Sequence, residues 1–369
     1  MTPFSQALAD RHQTVQEHRR PGQKVIAWMC SYFPEEIVYA AGMYPTRMMG
    51  GCGETTTADA HLYTNMCSLV RSCLEEGFQG AYDYLDGFAT LNSCDHVRRL
   101  YDVWGPSQKT RFNYIIPLPH TITEASLAYF HYELVRFKEA LEAAFGVSIT
   151  PEALQEAIRV YNRTRSLLQR LNDLKKLDAP PITGAEFLEV VIAGTILPKD
   201  VYNDILEDFL RQVESRPGIP TDERVRLLLV GSEMDDPAYV QMIEEMGGLV
   251  VADDLCTSSK YFWNLTEETA DPLLAIARRY LTRPECPRMR PASNRLRHMG
   301  DLIQSYRVDA VVLEVIKFCN LYGEDSTIVR NYLRQMGIPL LQLSREYNVG
   351  AVGQMRTRVE AFFERIWGA

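Results

Sequence analysis

The sequence has 369 residues, 46% of them hydrophobic and 24% charged, with a net charge of −9 and a pI near 5.4. That length suits two or three domains, and no segment gathers enough Lys and Arg to neutralise a phosphate backbone, which excludes nucleic acid as the main partner. No apolar run reaches the roughly 18–20 residues that a bilayer span needs, and "MTPFSQALADRHQ" has neither the basic nor the apolar part of a leader, so the expectation is a cytoplasmic protein with no membrane partner.

The first third alternates β-rich runs with helical patterns. "KVIAWMC" (24–30) reads as a strand, "PEEIVYAAG" (34–42) as a helix with Pro34 in its first turn and Gly42 at its end, and "YPTRMMG" (44–50) as a second strand. Glu35 and Glu36 put negative charge at that helix start, where the dipole favours it. A helix over 58–77, a strand within 84–93, a helix over 94–105 and a strand over 112–119 follow. From Thr123 to Glu214 the pattern is nearly continuous amphipathic helix, restarted at Thr150 and Pro151 and broken by "DAPPITGAEF" (178–187). The β/α rhythm returns at "RVRLLLVGSEM" (224–234), "LVVADDLC" (249–256), "VDAVVLEVIKFC" (308–319) and "IPLLQLS" (338–344), and closes on the helical "GQMRTRVEAFFERIWG". This alternation predicts an α/β fold of two flavodoxin-like parallel-sheet units, over 1–122 and 221–369, with an intervening helical section over 123–220.

In a reducing compartment, eight cysteines are buried thiols, reactive thiols or metal ligands rather than disulfides. No C-x2-C pair and no spaced His pair marks a zinc site. Ligand crevices of open α/β sheets lie outside the carboxyl ends of the strands, and Cys30, Cys94, Cys256 and Cys319 each fall at or just past such an end. Cys94, in "NSCDHVRR", has a polar, electropositive setting that favours a thiolate. Cys256, in "VVADDLCTSSKYFW", shares the strand-end setting. Cys67 and Cys73 lie on different faces of the predicted helix, so only one of them faces a common site, and Arg71 shares the face of Cys67. Cys52, on the glycine loop "MMGGCGETTT", is a reserve ligand, and Cys286, in the Pro-rich "RPECPRMRP", reads as incidental surface. Core packing is the competing reading for any one of these thiols, because free Cys is among the most buried residue types. Taken together, thiolate-only coordination without zinc spacing points to an iron–sulfur cluster. His61, His96 and His120 are the candidates for moving protons. Arg47, Arg71 and Arg98 are the candidates for holding phosphates or cluster sulfides.

The segments "CSYFPEEIVYAAGMYPTRMMG", "CSLVRSC", "LNSCDHVRRLYDVW", "GGLVVADDLCTSSKYFW", "VIKFCN" and "GQMRTRVEAFFE" resemble, in order and over nearly the whole chain, the family of 2-hydroxyacyl-CoA dehydratases and benzoyl-CoA reductases. "CDHVRRLYDVW", "LPHTITEASLAYFHYELVRF" and "YNRTRSLLQRLNDLKKLDAPPITGAEF" are most similar to the ATP-dependent benzoyl-CoA reductases, and the modest length to their smaller, C-type subunit. The resemblance implies a [4Fe–4S] cluster held by three cysteines, which map onto Cys67, Cys94 and Cys256, with Cys30 and Cys52 in reserve. His61 and His96 become the catalytic candidates. It further implies a homologous larger catalytic subunit, an ATP-hydrolysing iron–sulfur activator fed indirectly by ferredoxin, and an aryl-CoA substrate. The sequence contains no G-x-x-x-x-G-K-[ST] loop, which fits ATP chemistry on a partner. Eight cysteines also keep open the related double-cubane proteins, which use more thiols per chain. Three roles stand side by side: an aryl-CoA reductase subunit, a 2-hydroxyacyl-CoA dehydratase subunit, and a non-catalytic electron-relay or scaffold subunit.

Overall fold

A computed structural model describes residues 2–51, 53–347 and 352–368. After α1 (Pro3–Ala9) and α2 (Arg11–His18), the first unit runs β1 (Val25–Met29), α3 (Glu35–Ala40), β2 (Tyr44–Arg47), α4 (Ser68–Phe78), β3 (Gly87–Leu91), α5 (Asp95–Ser107) and β4 (Phe112–Ile116). A helical layer follows: α6 (Glu124–Phe145), α7 (Pro151–Asp173), α8 (Gly184–Ala193) and α9 (Lys199–Glu214). The second unit begins with β5 (Val225–Gly231), α10 (Pro237–Glu245), β6 (Gly248–Asp254) and α11 (Ser259–Phe262). It is completed by α12 (Pro272–Thr282), α13 (Ser293–Ser305), β7 (Ala310–Ile316), α14 (Asn320–Met336), β8 (Leu340–Arg345) and α15 (Val352–Trp367).

The two sheets are copies of one plan. Their strand orders are β2-β1-β3-β4 and β6-β5-β7-β8, every neighbouring pair parallel. Each is the flavodoxin order 2-1-3-4-5 without its last strand. Helices cover both faces, so β1, β3, β5, β6 and β7 are buried throughout, and their sequences are mostly apolar without alternation, interrupted by Arg226, Asp253, Asp254 and Glu314. In such sheets the order reverses beside the first strand, here between β1 and β3 and between β5 and β7, and ligands sit above that point. At the second reversal Gly231 has φ 150°, and a Cβ there would overlap the Glu314 carbonyl oxygen, so only glycine lets β5 end this close to β7.

The helical layer forms where the sequence supplies stops and starts. Thr123, Thr150 and Thr183 accept from the backbone N–H groups of Ser126, Ala153 and Glu186 at 3.1, 3.2 and 3.1 Å, caps that contribute about 1 kcal/mol each. Gly146, left-handed at φ 66°, ends α6. This layer is welded to the first unit by charge. Arg165 of α7 pairs with Glu36, Tyr280 of α12 donates to the same carboxylate at 2.8 Å, and Lys199 of α9 stands 3.5 Å from Glu35. The "PEE" helix start is therefore more than a capping device, because both carboxylates are buried and each faces a cation from the helical layer.

Two sequence expectations shift. The helix expected over 58–77 is a single 3₁₀ turn at Ala58–Ala60, then turns, then α4 from Ser68. Thr64 and Asn65 favour turns over helix interior, and the Met66 N–H closes on the Tyr63 carbonyl at 2.9 Å. Cys67 thus caps α4 instead of lying within it. Between β6 and β7 the chain builds α11, α12 and α13, where the sequence pattern predicts no element, and α12 packs back on α6 and α7. One apolar core accordingly runs from Phe4 and Trp28 through Phe137 and Leu168 to Ile276 and Tyr280. A second joins Val25 and Phe88 to Leu227, Val312 and Phe363. Among the described residues no helix is long and apolar enough to cross a membrane.

Candidate functional site

The carboxyl ends of both sheets open on one cavity of about 290 Å3, walled by Cys30, Cys67, Cys94, Cys256, Cys286 and Cys319. Three thiols come from each α/β unit. Cys30 follows β1 directly and is left-handed at φ 75°, a backbone that costs a non-glycine residue about 1–2 kcal/mol. Phe318, at φ 65° just before Cys319, repeats that strain on the second unit, and strain of this kind concentrates at functional sites. Cys67, Cys94 and Cys319 are the N-caps of α4, α5 and α14, so three helix N-termini converge on the cavity and favour negative charge there. The Cys94 sulfur accepts from the Val97 N–H at 3.5 Å. Cys256 lies two residues past β6.

Cys286 corrects the sequence reading. It is buried on the cavity wall, not incidental surface. Its Pro-rich loop is drawn inward by two buried arginines. Arg283 donates to the Ser31 hydroxyl and the Lys260 carbonyl, and Arg288 donates to the carbonyls of Ser93 at 2.9 Å and Leu118 at 2.5 Å. The backbone N–H of Cys286 itself donates to the Tyr32 hydroxyl at 3.2 Å. "RPECPRMR" carries that signal in its arginines, but the acceptors Ser31, Ser93 and Leu118 lie far away in the first unit, where no local pattern reveals them.

The other expected residues divide clearly. Cys67, Cys94 and Cys256 share the cavity, joined by the reserve Cys30 and by Cys319. Cys73 is fully buried in the apolar core and does not line the cavity. Cys52 lies outside the described residues. His96 lines the cavity, and its Nδ1 accepts from the Cys67 N–H at 3.2 Å, which puts the neutral ring's proton on Nε2. Burial lowers its pKa and keeps the ring neutral. His61 is exposed and stacks on Phe78 at 4.7 Å, away from the cavity, and His120 is exposed outside it. Arg71 pairs with Asp59 at 2.8 Å and Arg98 with Asp95 at 3.0 Å. Arg47 is buried against Glu233, a carboxylate of the cavity wall, and lies 5.0 Å from the Trp28 ring centroid.

The thiols act on one another as a connected set. Burial pushes Cys67 up, with Cys319 and Cys94 adding, and pushes Cys94 up to about 12. Burial likewise raises Cys30 and Cys319, each with a contribution from Cys256. Cys256 goes the other way: the hydrogen bond from the Cys286 thiol holds it well below the usual thiol range despite burial, aided by the charges of Lys260, Arg283 and Arg47. Cys286, as the donor, is held above that range.

Six converging thiols suit a soft metal centre. Among the described residues no three His, Cys, Asp or Glu side chains gather as tightly as a single metal ion requires. A multi-iron cluster is larger than an ion, its ligands stand further apart, and the cavity has room for about ten waters at the roughly 30 Å3 that each occupies in the liquid. The donor set, the volume and the converging helix N-termini fit such a group, with thiols whose protons a bound metal displaces.

A family described as "2-hydroxyglutaryl-CoA dehydratase, D-component" matches residues 30–366. The "Putative dehydratase subunit YjiM" of Escherichia coli (strain K12) is 29% identical over 374 residues, covering 98% of this chain and 97% of that protein. The "(R)-phenyllactyl-CoA dehydratase beta subunit" of Clostridium sporogenes is 24% identical, with 98% and 97% covered. One of the benzoyl-CoA reductase subunits of Thauera aromatica is 25% identical, with 94% and 92% covered.

Proposed function

The chain belongs to the 2-hydroxyglutaryl-CoA dehydratase D-component family, and from that premise we propose that it is an iron–sulfur redox protein of the dehydratase and reductase type, whose six thiols hold a double-cubane cluster. The observation that carries this reading is the cavity wall itself: Cys30, Cys67 and Cys94 from one unit facing Cys256, Cys286 and Cys319 from the other. A single [4Fe–4S] cluster with three protein ligands leaves half of these thiols without a task. Bound, the cluster supplies low-potential single electrons.

The chain's own residues prepare the place for that chemistry. Leu69, Val70 and Ile316 line the cavity and limit water, which strengthens every charge interaction inside. Three helix N-termini hold developing negative charge. His96, neutral with its proton on Nε2 at the wall, is the proposed hydrogen-bond donor to negative charge that develops there. With no phosphate-binding loop in the sequence, ATP hydrolysis falls to a separate iron–sulfur activator, fed by a donor such as ferredoxin.

A second reading draws on the subunit names of the relatives. Here a single [4Fe–4S] cluster on Cys67, Cys94 and Cys256 serves an aryl-CoA reductase, or a 2-hydroxyacyl-CoA dehydratase, beside a larger catalytic partner. Iron and sulfide analysis of anaerobically purified protein separates the two, with about eight iron per chain expected for the double cubane and about four for the single one. Colourless protein, or protein loaded with zinc, overturns both.

A further inference from the structure

A second, more open cavity of about 320 Å3 adjoins the thiol cavity and shares Ser93, Cys94, Asp95 and Leu321 with its wall. It is lined by Arg98, Arg288, Arg290 and His120 against one carboxylate, Asp95. In a chain of net charge −9, this is a local reversal of sign. Clefts lined by one sign concentrate ligands of the other.

Among the described residues, this positive charge is only partly paired. Arg98 pairs with Asp95 across solvent-exposed side chains, where an ion pair holds its partners weakly. Arg290 is exposed, and among the described residues its guanidinium donates to the carbonyls of Pro287 and Met289, at 2.7 and 3.5 Å. Arg288 is 5% exposed, and its Nε has no hydrogen-bond partner among the described residues. Neither Arg288 nor Arg290 joins an ion pair there. A guanidinium that deep normally has an anion beside it, because taking the charge out of water is costly. The α5 N-terminus, at Asp95, opens on the same space.

We propose that this vestibule binds a small free anion, an oxyanion or a carboxylate, and passes it to the thiol cavity. The destination rests on the reading of that cavity as the reaction site, whereas the binding does not. Arg288 fixes the floor through Ser93 and Leu118, Arg290 supplies an exposed charge, and Ser93 and Cys94 form the shared wall. The nucleotide phosphates of a CoA thioester offer the same chemistry from a larger ligand, and the test separates the two sources.

Inorganic phosphate and acetate are titrated calorimetrically into the full chain, with iron content measured on the same anaerobic samples. Saturable one-site binding of phosphate is expected, weakened at least tenfold in Arg290→Gln, partly restored in Arg290→Lys, and unchanged in Arg334→Gln on α14. Arg290 is exposed, so its variants fold. Phosphate that does not bind, or that binds Arg290→Gln as it binds the parent, overturns the proposal. Coenzyme A that binds far more tightly than phosphate and displaces it also overturns it, by assigning the vestibule to the nucleotide. Iron-free protein that still binds phosphate through Arg290 leaves the vestibule standing and removes the cluster reading. Iron-loaded protein that binds no anion removes the vestibule alone.

Discussion

Arg283 donates to the hydroxyl of Ser31 at 2.9 Å, joining residues 252 positions apart in the sequence. The same guanidinium lies 3.8 Å from the centroid of the Tyr32 ring and donates to the Lys260 carbonyl at 3.0 Å. One side chain thus ties the loop bearing Cys286 to the strand end bearing Cys30.

Arg283→Met should release that loop, because Met fills the volume but makes none of the three contacts. Loss of a buried charged donor of this kind costs about 2–4 kcal/mol. The expected result is fast alkylation of Cys286 in the native variant, read by mass spectrometry, against slow alkylation in the parent. Equal rates at Cys286 would remove Arg283 from this role.

Serine at each of the six lining positions should lower iron content, since Ser is a harder ligand that gives up its proton less readily. Cys73→Ala should keep the iron, because Cys73 belongs to the core and not to the cavity wall. If Cys30→Ser, Cys286→Ser and Cys319→Ser retain full iron while Cys67→Ser, Cys94→Ser and Cys256→Ser lose it, the three-thiol reading prevails.

Glu35 and Glu36 should behave oppositely although they are neighbours. Burial raises the Glu35 pKa above the ordinary 4.5, and Lys199 only partly offsets it. At Glu36 burial is outweighed by Arg165 and Arg279, and the pKa falls below 4.5. Glu36 therefore adds stability that is present above its unfolded pKa and lost as pH drops through the lower folded value. Glu35 adds stability that is present below its unfolded pKa and lost as pH rises through the higher folded value. At pH 7, Glu36→Gln should cost about 3 kcal/mol by urea unfolding, and Glu35→Gln clearly less. Equal costs would contradict the assignment.

Phe318→Gly should change stability by less than about 1 kcal/mol, because relief of the left-handed backbone is offset by glycine's greater unfolded-state freedom and by loss of a half-buried ring. A markedly lower unfolding midpoint would show that the ring makes a contact worth more than the strain.

Much of this architecture is written locally. The doubly buried strands announce themselves as mostly apolar runs, and Cys30, Cys94, Cys256 and Cys319 stand at strand ends that a parallel sheet brings to one edge. Cys286 is illegible in its own neighbourhood, since its burial depends on acceptors at Ser31, Ser93 and Leu118. Helical periodicity over 58–77 outweighs the turn preference of Thr64 and Asn65 in the sequence, which displaces the start of α4. The same displacement leaves His61 on a turn, stacked on Phe78 and outside the cavity wall.

The three-and-three division of thiols also sets a timetable for biosynthesis. About 225 residues separate Cys94 from Cys319, which at 5–20 residues per second is roughly 10–45 s of translation. During that interval the thiols of the first unit face an unfinished wall, and both apolar cores still lack their partners from the second unit. On the proposed cluster reading, loading with iron and sulfide waits until nearly the last helix has left the ribosome, so a cell making this protein supplies the cluster to finished chains rather than nascent ones.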